Sequence, residues 1–357
     1  MNVCLSHMTA LRYLLRNPNL RAGPSRRPSR AASVPTAAPC ARDARELIES
    51  LGSSSLSDGE PLEVLVSTSG GRSSGRAIHA HLCTAELPVG SFIAAESYGR
   101  AFYVSSPELV FLQLASILDE VRLVYVGCAL CSDFLLDELA PGGCCLREGS
   151  DMALTSVEGI GAYLSRVQGG TRGLAHARRA LSRVLDGARS PREIGIALAL
   201  GLPARLGGRA LGDVRMNRAI RVYDGQEHRG GSRWLVRIPD VTVSAVGRDG
   251  ARRCVGIDYD PWSTHGDALR AQADIERRNL LVAADGLVHF TLGSAQVENY
   301  VTFSREADRI RRALRVREKP QLPRAGSSRE ADDLRREVDH RRFELWRAVL
   351  CGARVGL

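Results

Sequence analysis

The sequence predicts an α/β chain: a mixed N-terminal α+β region followed by an α/β domain. Three observations carry this. Hydrophobic residues at 44% and charged residues at 25% are ordinary globular values. Two Ser-Pro helix starts, Ser106-Pro107-Glu108 and Ser190-Pro191-Arg192-Glu193, punctuate the chain. From residue 190 onward the pattern runs helix, strand, strand, strand, helix, strand, so a meander and a crossover helix build one sheet.

The elements follow in order. Leu11, Leu14 and Leu15 fall at helical spacing within 1–16, with Thr9 as a helix cap. The Pro/Ser/Arg-rich run 17–42 reads as a linker. Residues 1–45 hold eight Arg and one acid, which places +7 of the net charge of +9 in this segment. Such a composition also resembles an organellar transit peptide. The folded helix followed by a linker is the preferred reading. The body is almost neutral, so charge alone predicts no broad basic face.

An α+β domain is expected over 43–185. It has a helix at 43–52, a strand at 62–67, a turn at 69–72, and strands at 77–82, 91–95 and 102–104. The first Ser-Pro start opens a helix from Leu109 to about Leu118. His79 and His81 share one strand face. With no third ligand nearby in sequence, they read as polar surface residues rather than a metal pair. Cys128, Cys131, Cys144 and Cys145 could supply four thiolates to zinc. The adjacent pair Cys144-Cys145 lacks the two-residue loop of a zinc half-site, however, and apolar neighbours favour small buried residues. Nine cysteines, an odd number, fit a reduced cytoplasmic setting. No apolar run is long enough to span a membrane.

The second domain is expected over 186–317. A helix follows Ser190, and Gly207-Gly208 and Gly212 lie in a loop. Strands are expected at 218–223, at 233–238 continuing through 241–243, at 253–259 and at 287–291. Amphipathic helices cover 267–284 and 305–317. A linker at 318–328 leads to a C-terminal segment, 329–357, whose helix packs on the body or on a second copy.

Acids fall at telling places in this second domain. Glu193 lies in the first turn of its helix. Asp240 follows Pro239 at a strand end or kink. Asp258 and Asp260 flank Tyr259, and alternation puts both on one face. Converging carboxylates of this kind bind a hard divalent cation, most naturally Mg²⁺, which can activate water against a phosphodiester. His265 follows close by as a general acid/base.

The run Arg237-Ile238-Pro239-Asp240, then Gly256-Ile257-Asp258-Tyr259-Asp260 with His265, resembles the restriction-endonuclease-like PD-(D/E)XK fold, closest to its Vsr-like branch of bacterial proteins. Ser190-Pro191-Arg192-Glu193 is similar to the helix that donates a Glu in that family. The resemblance spans roughly 185–317. It implies a Mg-dependent endonuclease acting on DNA: Asp240 and Asp258 would be metal ligands, Asp260, Glu193 and His265 would complete the catalytic set, and Arg252, Arg277 and Arg278 would contact phosphate. The family Lys is replaced by Asp260. Lys319 is the sole lysine of the chain and lies in a linker-like run, so the resemblance narrows to the Lys-free branch.

More faintly, Ser6-His7-Met8-Thr9-Ala10-Leu11-Arg12-Tyr13 and Tyr103-Val104-Ser105-Ser106-Pro107-Glu108 resemble the front half of bacterial abortive-infection antitoxin proteins. That resemblance implies the alternative function, a non-catalytic regulator that meets DNA or a toxin partner.

Overall fold

The computed structural model describes residues 3–17, 33–51, 60–73, 75–148, 153–223, 234–260 and 287–351. The expected helix over 267–284, with Arg277 and Arg278, and His265 lie outside the described residues. The fold is mixed α/β, as its composition and punctuation predict. It divides into two compact units, one spanning Met1–Asp186 and one spanning Gly187–Val355. No helix among the described residues is long and apolar enough to cross a membrane.

The first unit is built on a five-stranded mixed sheet of β1 (Cys4–Leu5), β2 (Leu62–Val66), β3 (Ile78–Leu82), β4 (Phe92–Ser97) and β5 (Arg100–Ser105), in the order β3-β2-β1-β5-β4. The short β1 is the middle rung, antiparallel to β2 and parallel to β5. α1 (His7–Arg16) follows at once and buries Ala10, Leu11, Leu14 and Leu15 completely. Its cap is not the expected Thr9. Thr9 Oγ1 instead accepts the amide of Glu63 at 2.9 Å, while Glu63 Oε2 accepts the amide of Met8 at 2.6 Å. A carboxylate from β2 therefore sits on the positive end of α1.

At the other end of α1, the buried guanidinium of Arg147 donates to Leu14 O at 2.9 Å, Asn17 O at 3.2 Å and Phe134 O at 3.2 Å. Burial pushes Arg147 down to about 10. Arg147 lies just beyond the small hairpin of β6 (Phe134–Leu136) and β7 (Cys144–Leu146). α2 (Ala41–Leu51) precedes β2. Beyond β5 come α3 (Pro107–Leu114), α4 (Glu120–Leu130), α5 (Val157–Arg166) and α6 (Leu174–Leu181). The Ser-Pro start behaves as predicted, with Ser106 Oγ accepting the amide of Leu109 at 3.3 Å. Cys128 and Cys131 are buried on and just after α4, whereas Cys144 is half-buried and Cys145 exposed on β7.

The second unit opens with α7 (Pro191–Gly201), whose residues 193–200 are all buried. Its sheet comprises β8 (Asp213–Met216), β11 (Val241–Val246), β12 (Arg252–Tyr259) and β13 (Leu287–Leu292), in the order β13-β12-β11-β8. β8, β11 and β12 are antiparallel neighbours, and β13 is parallel to β12. This corrects the expected meander in one respect. The first sheet strand is β8, which lies between the expected glycine loop and the strand expected at 218–223. β9 (Ile220–Tyr223) and β10 (Trp234–Arg237) pair only with each other as a separate ribbon. Pro239 divides β10 from β11, because it cannot donate to a ladder.

α8 (Tyr300–Ala313) and α9 (Arg329–Trp346) complete the unit, and Trp346 Nε1 donates to Val297 O at 2.8 Å. The turn after α9 seats on α7 where Gly195 has no side chain. A Cβ there would lie 2.5 Å from Val349 O and 2.4 Å from a Leu350 methyl.

Candidate functional site

Pro239 places Asp240 in the break before β11. The antiparallel register pairs Val241 with Ile257, so Asp240 and Asp258 lie across from each other at one end of the two central strands. They interlock through the backbone. The Asp240 amide donates to Asp258 Oδ1 at 3.2 Å, and the Tyr259 amide donates to Asp240 Oδ2 at 2.7 Å. Asp258 is buried, at 9% exposure.

β13 adds a residue that the sequence reading passed over. His289 Nε2 lies 3.2 Å from Asp258 Oδ2, with its side chain only 3% exposed. That is ion-pair distance, yet neither ring nitrogen has a hydrogen-bond partner among the described residues, so the two groups are close but not aligned. Gly256 makes room for this approach. A Cβ on it would come 3.0 Å from the Pro239 ring and 3.3 Å from the His289 ring.

Glu193 enters from α7. Ser190 Oγ accepts the Glu193 amide at 3.2 Å and donates to Glu193 Oε1 at 3.0 Å, while the Arg189 amide donates to Oε2 at 2.9 Å. This is helix-start capping of the kind that Ser-Pro-Arg-Glu predicts. Asn217, immediately after β8, donates its side-chain amide to Glu193 Oε2 at 2.6 Å and its backbone amide to Asp240 O at 3.0 Å. Its Oδ1 is buried without a hydrogen-bond partner among the described residues. Burial, followed by the charge of Asp240, pushes the Glu193 carboxyl up to about 7.

The remaining expected site residues divide. Asp260 lies one residue past β12, its amide donating to Leu292 O at 3.0 Å. Asp240, Asp258 and Asp260 do not form a trio of carboxylates at ligand spacing. Among the described residues, the one group of three His, Cys, Asp or Glu side chains with ligand atoms within 4.8 Å of one another is Glu63, His79 and His81, in the first unit. Arg252 opens β12 and Asp258 nearly closes it, so they stand about 20 Å apart by strand rise. Arg252 therefore stands at the far end of β12 from the acids. His265, Arg277 and Arg278 lie outside the described residues. Asn217 and His289 are the additions. Neither carries a sequence signal, because the first depends on the unexpected β8 and the second on strand register.

Compared with protein-family models, with curated proteins and with solved structures, the chain matches none.

In the first unit, parallel pairing sets Glu63 beside His79 and Leu65 beside His81, which brings a carboxylate to the two imidazoles that sequence distance concealed. The His79 and His81 rings lie 4.3 Å apart, and His7 stacks on His81 at 3.6 Å and 23°. Burial, followed by the neighbouring His81, lowers His7 to about 3. Burial would raise the Glu63 carboxyl, but hydrogen bonds from His81 and the Met8 amide hold it below the usual carboxylate range.

Proposed function

We propose that the second unit is a metal-dependent phosphodiesterase of the restriction-endonuclease-like type, acting on DNA. The observation that carries this reading is geometric: Asp240 and Asp258 interlock through each other's backbone at one end of the two central strands, and Asn217 ties Glu193 to the same place, where burial and Asp240 raise its carboxyl. Neighbouring buried acids repel one another, and a divalent cation is the simplest relief. The helix, three antiparallel strands and final parallel strand support the same reading. So does the position of Asp240 and Asp258 at one end of the two central strands.

The donors fit Mg²⁺: two carboxylates, and the buried Asn217 Oδ1 that lacks a partner among the described residues, all hard oxygens. Asp240 and Asp258 would hold the ion, which when bound supplies Lewis-acid polarisation of a phosphoryl oxygen. Asn217 orients Glu193. Glu193, poised near neutrality, can accept the proton of an attacking water. In that hydrolysis the water oxygen bonds to phosphorus and gives its proton to Glu193, the bond to the leaving sugar oxygen breaks, and the leaving oxygen takes a proton from solvent water. His289 lies against Asp258, 3.2 Å away. The odd number of cysteines, nine, fits a reducing, cytoplasmic setting for this activity.

The test is cleavage of plasmid and of mismatched duplex with Mg²⁺ or Mn²⁺, alongside Asp258→Ala. Metal-dependent cleavage that Asp258→Ala abolishes is the expected result. Equal cleavage by both proteins, or none by the wild type, overturns the assignment.

A second reading, a non-catalytic antitoxin-like regulator with a toxin or DNA partner, is favoured by one observation. Glu193, Asp240 and Asp258 each already accept backbone amides, which gives all three a structural use without a metal.

A further inference from the structure

The cluster on the sheet of the first unit is separate from these acids and has different chemistry. Glu63, His79 and His81 stand on two parallel strands, and alternation brings the two imidazoles to the same face as the carboxylate. Their ligand atoms lie within 4.8 Å of one another. The carboxylate is already anchored. Oε2 receives the Met8 amide at 2.6 Å, and Oε1 lies 3.2 Å from His81 Nε2. His81 is held from its other side by the stacked ring of His7, whose Nδ1 lies 3.0 Å from Ser6 Oγ. His79 is exposed, which gives an ion a way in.

We propose that Glu63, His79 and His81 bind one divalent transition-metal ion of the zinc class. Two imidazole nitrogens with one carboxylate oxygen suit Zn²⁺, Co²⁺ or Ni²⁺ and are poor for Mg²⁺ or Ca²⁺, which prefer all-oxygen shells. Three protein ligands leave a fourth tetrahedral position open to water or an exogenous ligand. The stacked His7 and the Met8 amide act as outer contacts that hold two of the three ligands in place. Because Glu63 also caps α1, the ion would link β2, β3 and the start of that helix, and bound ion would stabilise the unit by linkage.

The test uses the untagged full chain. Calorimetric titration with Zn²⁺, and Co²⁺ titration followed by visible absorption, are expected to show an equivalent of binding without thiolate-to-cobalt charge transfer. His79→Ala is expected to weaken that binding at least about 10-fold. Asp258→Ala is expected to leave it unchanged, which separates this site from the proposed nuclease centre. In the wild type, saturating Zn²⁺ should protect the His79 and His81 peptides from diethylpyrocarbonate, a readout that does not depend on any variant folding. The proposal is overturned if Zn²⁺ does not bind, if binding survives His79→Ala in a chain with wild-type circular dichroism, or if Zn²⁺ leaves carbethoxylation of both histidines unchanged.

Discussion

Asn217 joins two acids, donating its side-chain amide to Glu193 at 2.6 Å and its backbone amide to the carbonyl of Asp240 at 3.0 Å. It does so with φ at +48°, a left-handed conformation that Asn tolerates better than most residues. Asn217→Ala should therefore lose twice, in the backbone and in the hydrogen bond, at about 2–3 kcal/mol in urea unfolding. Asn217→Gly restores only the backbone and should recover about 1 kcal/mol of that loss. Under the nuclease reading, both variants should cleave DNA at least about 10-fold more slowly than wild type. Equal stability of the Ala and Gly variants would remove the strain argument.

Glu193 also makes stability depend on pH. Its ordinary value of 4.5 applies in the unfolded chain, against about 7 in the folded one. The folded state binds the proton more tightly, so this contribution to stability is fully present below pH 4.5 and is lost as pH rises to about 7. Urea unfolding in EDTA should show wild type losing about 1–3 kcal/mol across that window relative to Glu193→Gln. Parallel pH profiles for the two proteins would contradict the raised value.

The cysteines should separate by reactivity. Burial pushes the Cys128 thiol up to about 12 and raises Cys131 further, whereas Cys40, Cys145 and Cys351 are exposed. Iodoacetamide at pH 8, with peptide mass spectrometry, should label the exposed three within minutes and leave Cys128 and Cys131 unmodified until denaturant is added. Labelling of Cys128 in the folded chain at the rate of Cys145 would show that α4 opens readily.

Gly195 should not tolerate a methyl group. The added carbon would meet the backbone oxygen of Val349 as well as Leu350, and backbone cannot step aside as a flexible side chain can. Gly195→Ala is expected to cost about 1–3 kcal/mol and to lower the thermal midpoint accordingly. An unchanged midpoint would mean that the C-terminal turn does not stay seated on α7.

Local chemistry was legible in the sequence, and register was not. Ser106 and Ser190 announce their helices because a cap, a proline and an acid act within four residues of one another. The same logic marks Glu193, and Pro239 marks the break that holds Asp240. β8 escaped because Asp213-Val214-Arg215-Met216 is four residues of exposed-buried alternation, too short to stand out from a glycine-rich loop. β9 and β10 carry a strong hairpin signal that says nothing about which sheet they join. Glu63 lies 16 positions before His79, and only parallel pairing makes them neighbours. His289 reaches Asp258 for the same reason.

The two-residue β1 has a temporal consequence. Cys4 and Leu5 form the middle rung of the first sheet, between β2 at 62–66 and β5 at 100–105. The sheet cannot close until about the hundredth residue has left the ribosome. Until then the buried face of α1 has no finished surface to rest on. Contacts of such long sequence separation slow folding. During synthesis, the apolar face of α1 therefore stays uncovered until β5 has emerged, and that exposure sets an interval in which the nascent chain is open to aggregation or to a chaperone.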